Sequence, residues 1–157
     1  MKISLTKNRF TEVDSGDFEF LSQWKWRYCR GYVVRSSLFR SGMQRTVYMH
    51  REIMRIPIGM ETDHIDGNKL NNRRGNLRIC TEMQNRRSRG RDVDNTSGYE
   101  GVTWRKSNRK WVARIAVNKV PIHLGSFLTS EEAARAYDAA ALKYYGEFAF
   151  PNFKGGR

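Results

Sequence analysis

Asp63 and His64 stand side by side in Thr62-Asp63-His64-Ile65-Asp66-Gly67-Asn68, and Asn85 follows in Thr81-Glu82-Met83-Gln84-Asn85. Hydrolysis of a phosphodiester needs a cation against the phosphate and leaving oxygen, and a base that takes a proton from water. The Asp63 carboxylate and the Asn85 amide offer hard oxygen donors, which suit magnesium, an ion that keeps most of its waters and needs few protein ligands. The His64 imidazole titrates near neutrality and can serve as the base.

The spacing predicts the elements that carry these groups. Asp63 and His64 lie on one strand, Leu77-Arg78-Ile79-Cys80 is the return strand, and Gly67-Asn68 and Arg74-Gly75-Asn76 supply the turns between them. Thr81 with Gln84 is a capping box, so Asn85 falls at the start of a short basic helix whose N-terminal dipole favours phosphate nearby. Neighbours on a strand point to opposite faces, so a site shared by Asp63 and His64 requires a bulge or a strand end there. Asp66, Asn68, Asn71 and Asn72 read as turn and loop hydrogen-bonding residues. His50 reads first as a structural histidine at a helix start, with a phosphate contact or a part in catalysis as the alternative, and Cys80 as a small core residue.

His50-Arg51, Asp63-His64-Ile65-Asp66-Gly67-Asn68, Asn71-Asn72-Arg73-Arg74-Gly75-Asn76-Leu77-Arg78 and Gln84-Asn85 together resemble the HNH endonucleases, specifically the phage-type homing endonucleases with an Asp-His pair. The resemblance covers roughly residues 45 to 88 and implies a ββα-metal motif over about 60–88. It implies His64 as general base, Asp63 and Asn85 as metal ligands, and Asn76 as the middle residue that orients the base or ties the loop through its amide. Many members carry histidine where this chain has Asn85, a departure that favours Mg2+ or Mn2+ over a softer ion.

Composition points to the same partner. Across 157 residues, 29 Lys and Arg against 16 Asp and Glu give a net charge of +13, the electrostatic footprint of a nucleic-acid binder. Double-stranded DNA is the expected partner, with no small-molecule substrate. Cys29 and Cys80 form no Cys-x-x-Cys pair, which argues against a zinc knuckle and a disulfide scaffold. No apolar run approaches membrane-spanning length and no signal-peptide core opens the chain, so a cytoplasmic protein is expected, in the host cell if phage-encoded.

Three segments are predicted: a nuclease unit over 1–88, a linker over 89–97 and a second unit over 98–153. The first opens with short aromatic-rich alternating runs, Trp24-Lys25-Trp26-Arg27-Tyr28 and Gly31-Tyr32-Val33-Val34-Arg35, which read as a small antiparallel sheet. Arg86, Arg87 and Arg89 make the entry to the linker basic and are expected to meet DNA. In the second unit, strands are expected around Gly101–Arg105, Lys110–Val117 and Val120–Phe127, with a turn at Asn118-Lys119. A helix opened by the capping box of Thr129 and Glu132 follows. The fold class is therefore α+β, with the second sheet packed on one helix.

Gly98-Tyr99-Glu100-Gly101-Val102, Trp111-Val112-Ala113-Arg114-Ile115, Leu124-Gly125-Ser126-Phe127, the alanine-rich run Glu131–Ala141 and Phe150-Pro151-Asn152-Phe153 resemble the plant APETALA/ethylene-response-factor DNA-binding domain. The resemblance implies a three-stranded sheet that enters the major groove, braced by its helix. Alternation places Thr103, Arg105, Arg114 and His123 on the reading face, with Val112 and Ala116 among them, and Trp104 and Trp111 in the core. Base preference does not transfer from plants, because those domains carry several arginines and tryptophans on this face. The reading as a whole is a metal-dependent endonuclease of a phage or mobile element, joined to a sheet-type DNA reader. The rival is a DNA-binding transcriptional regulator that does not cut. With one metal site, a monomer nicks unless it dimerises or rebinds.

Overall fold

The computed structural model describes residues 1–38, 42–88 and 95–153. The chain divides into two units, Met1–Asn85 and Arg86–Arg157, both mixed α and β with antiparallel sheets.

In the first unit β1 (Lys2–Ser4) pairs with β2 (Phe10–Glu12), and β3 (Arg27–Cys29), β4 (Tyr32–Leu38) and β5 (Gln44–Tyr48) form a meander. Helix α2 (Met49–Met54) leads to the hairpin of β6 (Glu61–His64) and β7 (Leu77–Cys80), and α3 (Glu82–Ser88) follows. One core runs through the unit: Ile3, Val13, Leu21, Trp26, Val33, Met49, Ile53 and Leu77 are buried together, and α3 adds no buried residue to it. The sequence reading makes the N-terminal segment sheet alone, but Ser15–Ser22 is a helix, α1. Its serines and Gly16 are weak helix formers, and burial of Leu21 holds it in place. Its acidic residues face outward from it: Asp14 accepts the Arg74 backbone N–H at 2.8 Å and Asp17 pairs with the Arg74 guanidinium at 2.7 Å. Trp24 and Trp26 precede β3 instead of lying in it. Trp26 is buried and donates its indole N–H to Leu21 O at 2.8 Å, closing α1 onto the core.

The second unit has β8 (Val102–Arg105), β9 (Lys110–Val117) and β10 (Val120–Phe127) with β9 central, packed on α4 (Ser130–Tyr145). Asn118 and Lys119 both take positive φ, 51° and 69°, as a tight hairpin turn with the twist of its strands requires. The Thr129–Glu132 capping box is formed. Ala133, Ala134, Ala140 and Ala141 are buried, so the small face of α4 lies close on the sheet. Gly101 shows how close: a Cβ there would sit 2.0 Å from the Tyr137 ring. Asp138 is buried and accepts the backbone N–H groups of Asn152 (2.7 Å) and Phe153 (3.0 Å), tying the tail to α4. Trp104 departs from the sequence reading: it is 46% exposed, with its ring 5.1 Å from that of Trp111 at a 60° tilt, one pair from the turn of the β8–β9 hairpin. Strand parity assigns its side, and the end of the sheet leaves nothing above it. Among the described residues no helix is long and apolar enough to cross a membrane.

Candidate active site

The β6–β7 hairpin holds its long loop by a ladder of side-chain bonds. The Asp66 carboxylate accepts from Asn68 N (2.7 Å), Asn76 Nδ2 (2.8 Å) and Asn71 Nδ2 (2.8 Å). Burial pushes its pKa up, but these three bonds outweigh that and hold it below the usual carboxylate range. Asn76 spends its whole amide here: Oδ1 accepts Asp66 N at 3.0 Å, and Nδ2 also reaches Asn71 O at 2.8 Å. The N-terminal strands support the same loop. Glu12 N donates to Leu70 O and Asn72 N to Glu12 O, at 2.9 and 2.8 Å.

His64 is the last residue of β6, so the strand end that a shared site requires is present. Its Nε2 lies 3.2 Å from Asn72 Oδ1. Asn72 is fully buried, and its Nδ2 donates to Thr11 Oγ1 (2.8 Å) and Lys69 O (3.3 Å). The Thr11 hydroxyl gives its own proton to Leu70 O at 2.8 Å, so towards Asn72 it can only accept. This order fixes the amide with oxygen towards the ring. Neutral His64 therefore carries its proton on Nε2 and leaves Nδ1 as the acceptor. Burial lowers the His64 pKa, against the Asn72 bond and the Asp63 and Asp66 carboxylates, which raise it. His50, buried on α2, stands edge-on 5.2 Å from the His64 ring, and Tyr32 and Tyr48 pack around it. Burial first, then His64, Arg51 and Lys69, push the His50 pKa down to about 3.

Asp63 leaves the other face of β6. It lies opposite Arg78 in the ladder, and Arg78 Nε and Nη2 meet its Oδ2 at 2.9 and 2.7 Å. Glu61, two residues before, shares that face. Helix α3, opened by the reciprocal Thr81–Gln84 bonds of 2.8 and 3.2 Å, brings Asn85 to Glu61, and Asn85 Nδ2 donates to Glu61 Oε2. Cys80, opposite Glu61, is fully buried, and its thiol is pushed up to about 11 by burial, with Asp63 and Glu61 adding. Among the described residues no three His, Cys, Asp or Glu side chains converge as a ready cluster. Two carboxylates and an amide are nevertheless hard oxygen donors, and their chemistry fits a magnesium-like ion that retains waters.

Sequence reasoning missed two contacts of this site. Asn72 read as a loop residue, yet its buried amide, not that of Asn76, touches the His64 ring. Glu61 carried no signal at all, because its link to Asn85 is visible only once α3 is placed on the hairpin.

In the second unit Thr103, Arg105, Arg114 and His123 are all exposed. Arg114 and His123 are direct cross-strand partners, and Thr103 faces Val112. Val112 itself is buried at 1% exposure, so it contributes no contact surface. In α3, Arg86 is exposed and Arg87 half-buried, while Arg89 lies outside the described residues.

Residues 47–87 match the HNH endonuclease family and residues 97–147 the AP2 domain family. An uncharacterized HNH endonuclease of Acanthamoeba polyphaga mimivirus is 32% identical over 147 residues, 93% of this chain and 76% of its own length. An ethylene-responsive transcription factor of Medicago truncatula is 37% identical over 86 residues, 54% of this chain and 32% of its own length. An AP2-like ethylene-responsive transcription factor of Arabidopsis thaliana is 50% identical over 58 residues, 35% of this chain and 10% of its own length. The chain thus spans a third or less of these plant relatives and most of the viral one. On that match the chain belongs to the HNH endonuclease family, and it carries an AP2 domain beside its nuclease domain.

Proposed function

We propose that the chain is a metal-dependent endonuclease that hydrolyses phosphodiester bonds of double-stranded DNA, leaving a 5′-phosphate and a 3′-hydroxyl. The observation that carries the reading is the His64–Asn72–Thr11 relay: a buried neutral imidazole, locked by a buried amide with Nδ1 left to accept a proton. In this reading His64 Nδ1 takes the proton of the attacking water. Asp63 and Asn85 hold Mg2+ or Mn2+, and Glu61 holds the Asn85 amide. When bound, the ion neutralises charge on the phosphate and the leaving oxygen. Asn76 acts through Asp66 by keeping the loop closed.

The nuclease unit is taken as 1–88 and the reader as 98–153, joined through 89–97. Thr103, Arg105, Arg114 and His123 meet the bases and backbone, and Arg86, Arg87 and Arg89 meet phosphates. Two DNA-contacting units on one chain raise affinity through effective concentration, so loss of the reader weakens binding more than chemistry. The resemblance of the Asp63-His64 motif to homing endonucleases suits a homing role in a phage or other mobile element, acting in the host cytoplasm. The rival, a regulator that binds DNA without cutting, draws on one contact: Arg78 already holds one oxygen of Asp63.

The metal assignment is tested on duplex-bound protein with His64→Ala in the background to stop turnover. Glu61→Ala is expected to raise the Mn2+ half-saturation, followed by electron paramagnetic resonance, by about 10-fold or more, the usual cost of losing a residue behind a ligand. An unchanged Mn2+ titration in both Glu61→Ala and Asn85→Ala would remove α3 from the metal site. Asn72→Ala is expected to slow cleavage by roughly 10- to 100-fold without moving that titration. Equal cleavage by Asn72→Ala and wild type would show that the relay does not position the base.

A further inference from the structure

A groove of about 450 Å³ runs between β4, β5 and α2, on the outside of the first unit. Arg35, held by Glu52 at 3.2 Å and stacked 4.4 Å over Trp24, lines it from the sheet. Arg45 lines it from β5, directly across from Ser37 of β4. Arg51 of α2 and Arg55, the left-handed residue that caps the C-terminus of α2, line it from the other side. Arg35 pairs with Glu52, and Arg45, Arg51 and Arg55 add three further guanidinium groups to the lining, with Arg51 Nη2 also donating to Met60 O at 3.4 Å. Register puts Arg35, Ser37, Arg45 and Val47 on one face of the β4–β5 pair, and the Tyr48 ring on the other, 5.5 Å from His50.

We propose that this groove is a second DNA-backbone site, which holds phosphates of the duplex against the nuclease unit away from His64. It rests on the nuclease reading for its substrate. Guanidinium groups on two walls suit a strand of phosphates that passes between them, because each phosphate can take charge-assisted bonds from either side. The groove adds affinity and register and reads no sequence, since phosphate contacts position without specifying.

The test uses the full chain with His64→Ala, in metal-free buffer, binding duplex DNA over a series of salt concentrations. Arg45→Ala/Arg55→Ala is expected to weaken binding about 10-fold at low salt and to reduce the slope of log affinity against log salt by about 1.8, roughly 0.9 for each lost phosphate contact. Melting temperature and circular dichroism matching the parent keep a folding defect apart from a lost contact. An unchanged slope overturns the site, whether or not affinity falls. An equal slope change in Lys2→Ala/Lys7→Ala, which lie outside the groove, also overturns it, because bulk charge then explains the effect. Unchanged DNA binding with lost binding of polyglutamate would assign the groove to an acidic polypeptide instead. A groove that passes this test in a chain whose wild type never cuts leaves the site standing and removes only the nuclease reading.

Discussion

Replacing His64 by alanine is expected to slow DNA cleavage by roughly 10²- to 10⁴-fold, the usual contribution of a positioned general base. DNA binding should change little, since the imidazole is 7% exposed at the foot of the site and the basic contacts lie elsewhere. The expectation follows from the tautomer. Thr11 can only accept from Asn72, Asn72 can then only accept from His64, and the lone pair of Nδ1 is left for water. Alanine leaves the Asn72 carbonyl buried without its donor, which costs about 1–3 kcal/mol of stability, so folding is checked beside activity. Added imidazole should restore part of the single-turnover rate in His64→Ala if the lost group is the base. Cleavage by His64→Ala at the wild-type rate would exclude the base assignment.

The second large effect is acid sensitivity set by His50. Its pKa is about 3 in the fold, against about 6.5 in an unfolded chain. Between those values the unfolded chain binds a proton that the folded one does not, so stability is complete above about pH 6.5 and is lost as the pH falls towards 3. The loss is on the order of 2 kcal/mol at pH 5 and rises to about 4–5 kcal/mol near pH 3. The lowered pKa of His64 acts in the same direction. Urea unfolding of wild type and His50→Phe at pH 7 and pH 5, followed by hydrogen exchange in the first unit, separates the contribution. The variant should lose less stability on acidification; parallel losses would show that His50 is not the group responsible.

The parts of the fold that were legible in the sequence are those set by local spacing. The Thr81–Gln84 and Thr129–Glu132 caps and the Asn118-Lys119 turn each depend on residues a few positions apart. Helix α1 was not legible, because one buried leucine and a contact to Arg74 hold it, not an apolar stripe. Trp104 was misplaced because alternation reports the side of a strand and not where the sheet ends. The chemistry of Asn72 depends on Thr11, 61 residues away in the chain. The role proposed for Glu61 depends on a helix laid across its hairpin. Neither pairing leaves a periodic signal, so the metal and base residues could be read as types, while the groups that hold them needed the tertiary structure.

Cleavage of DNA at the β6–β7–α3 site is read by incubating the wild-type chain with supercoiled plasmid and end-labelled duplex, at concentrations that saturate binding, with Mg2+, Mn2+ or a chelator. Nicked or linear plasmid with 5′-phosphate and 3′-hydroxyl ends is expected only with the metal, and none from the Asp63→Ala protein. Saturated binding with intact DNA under every divalent ion would show that the chain binds DNA without cutting it.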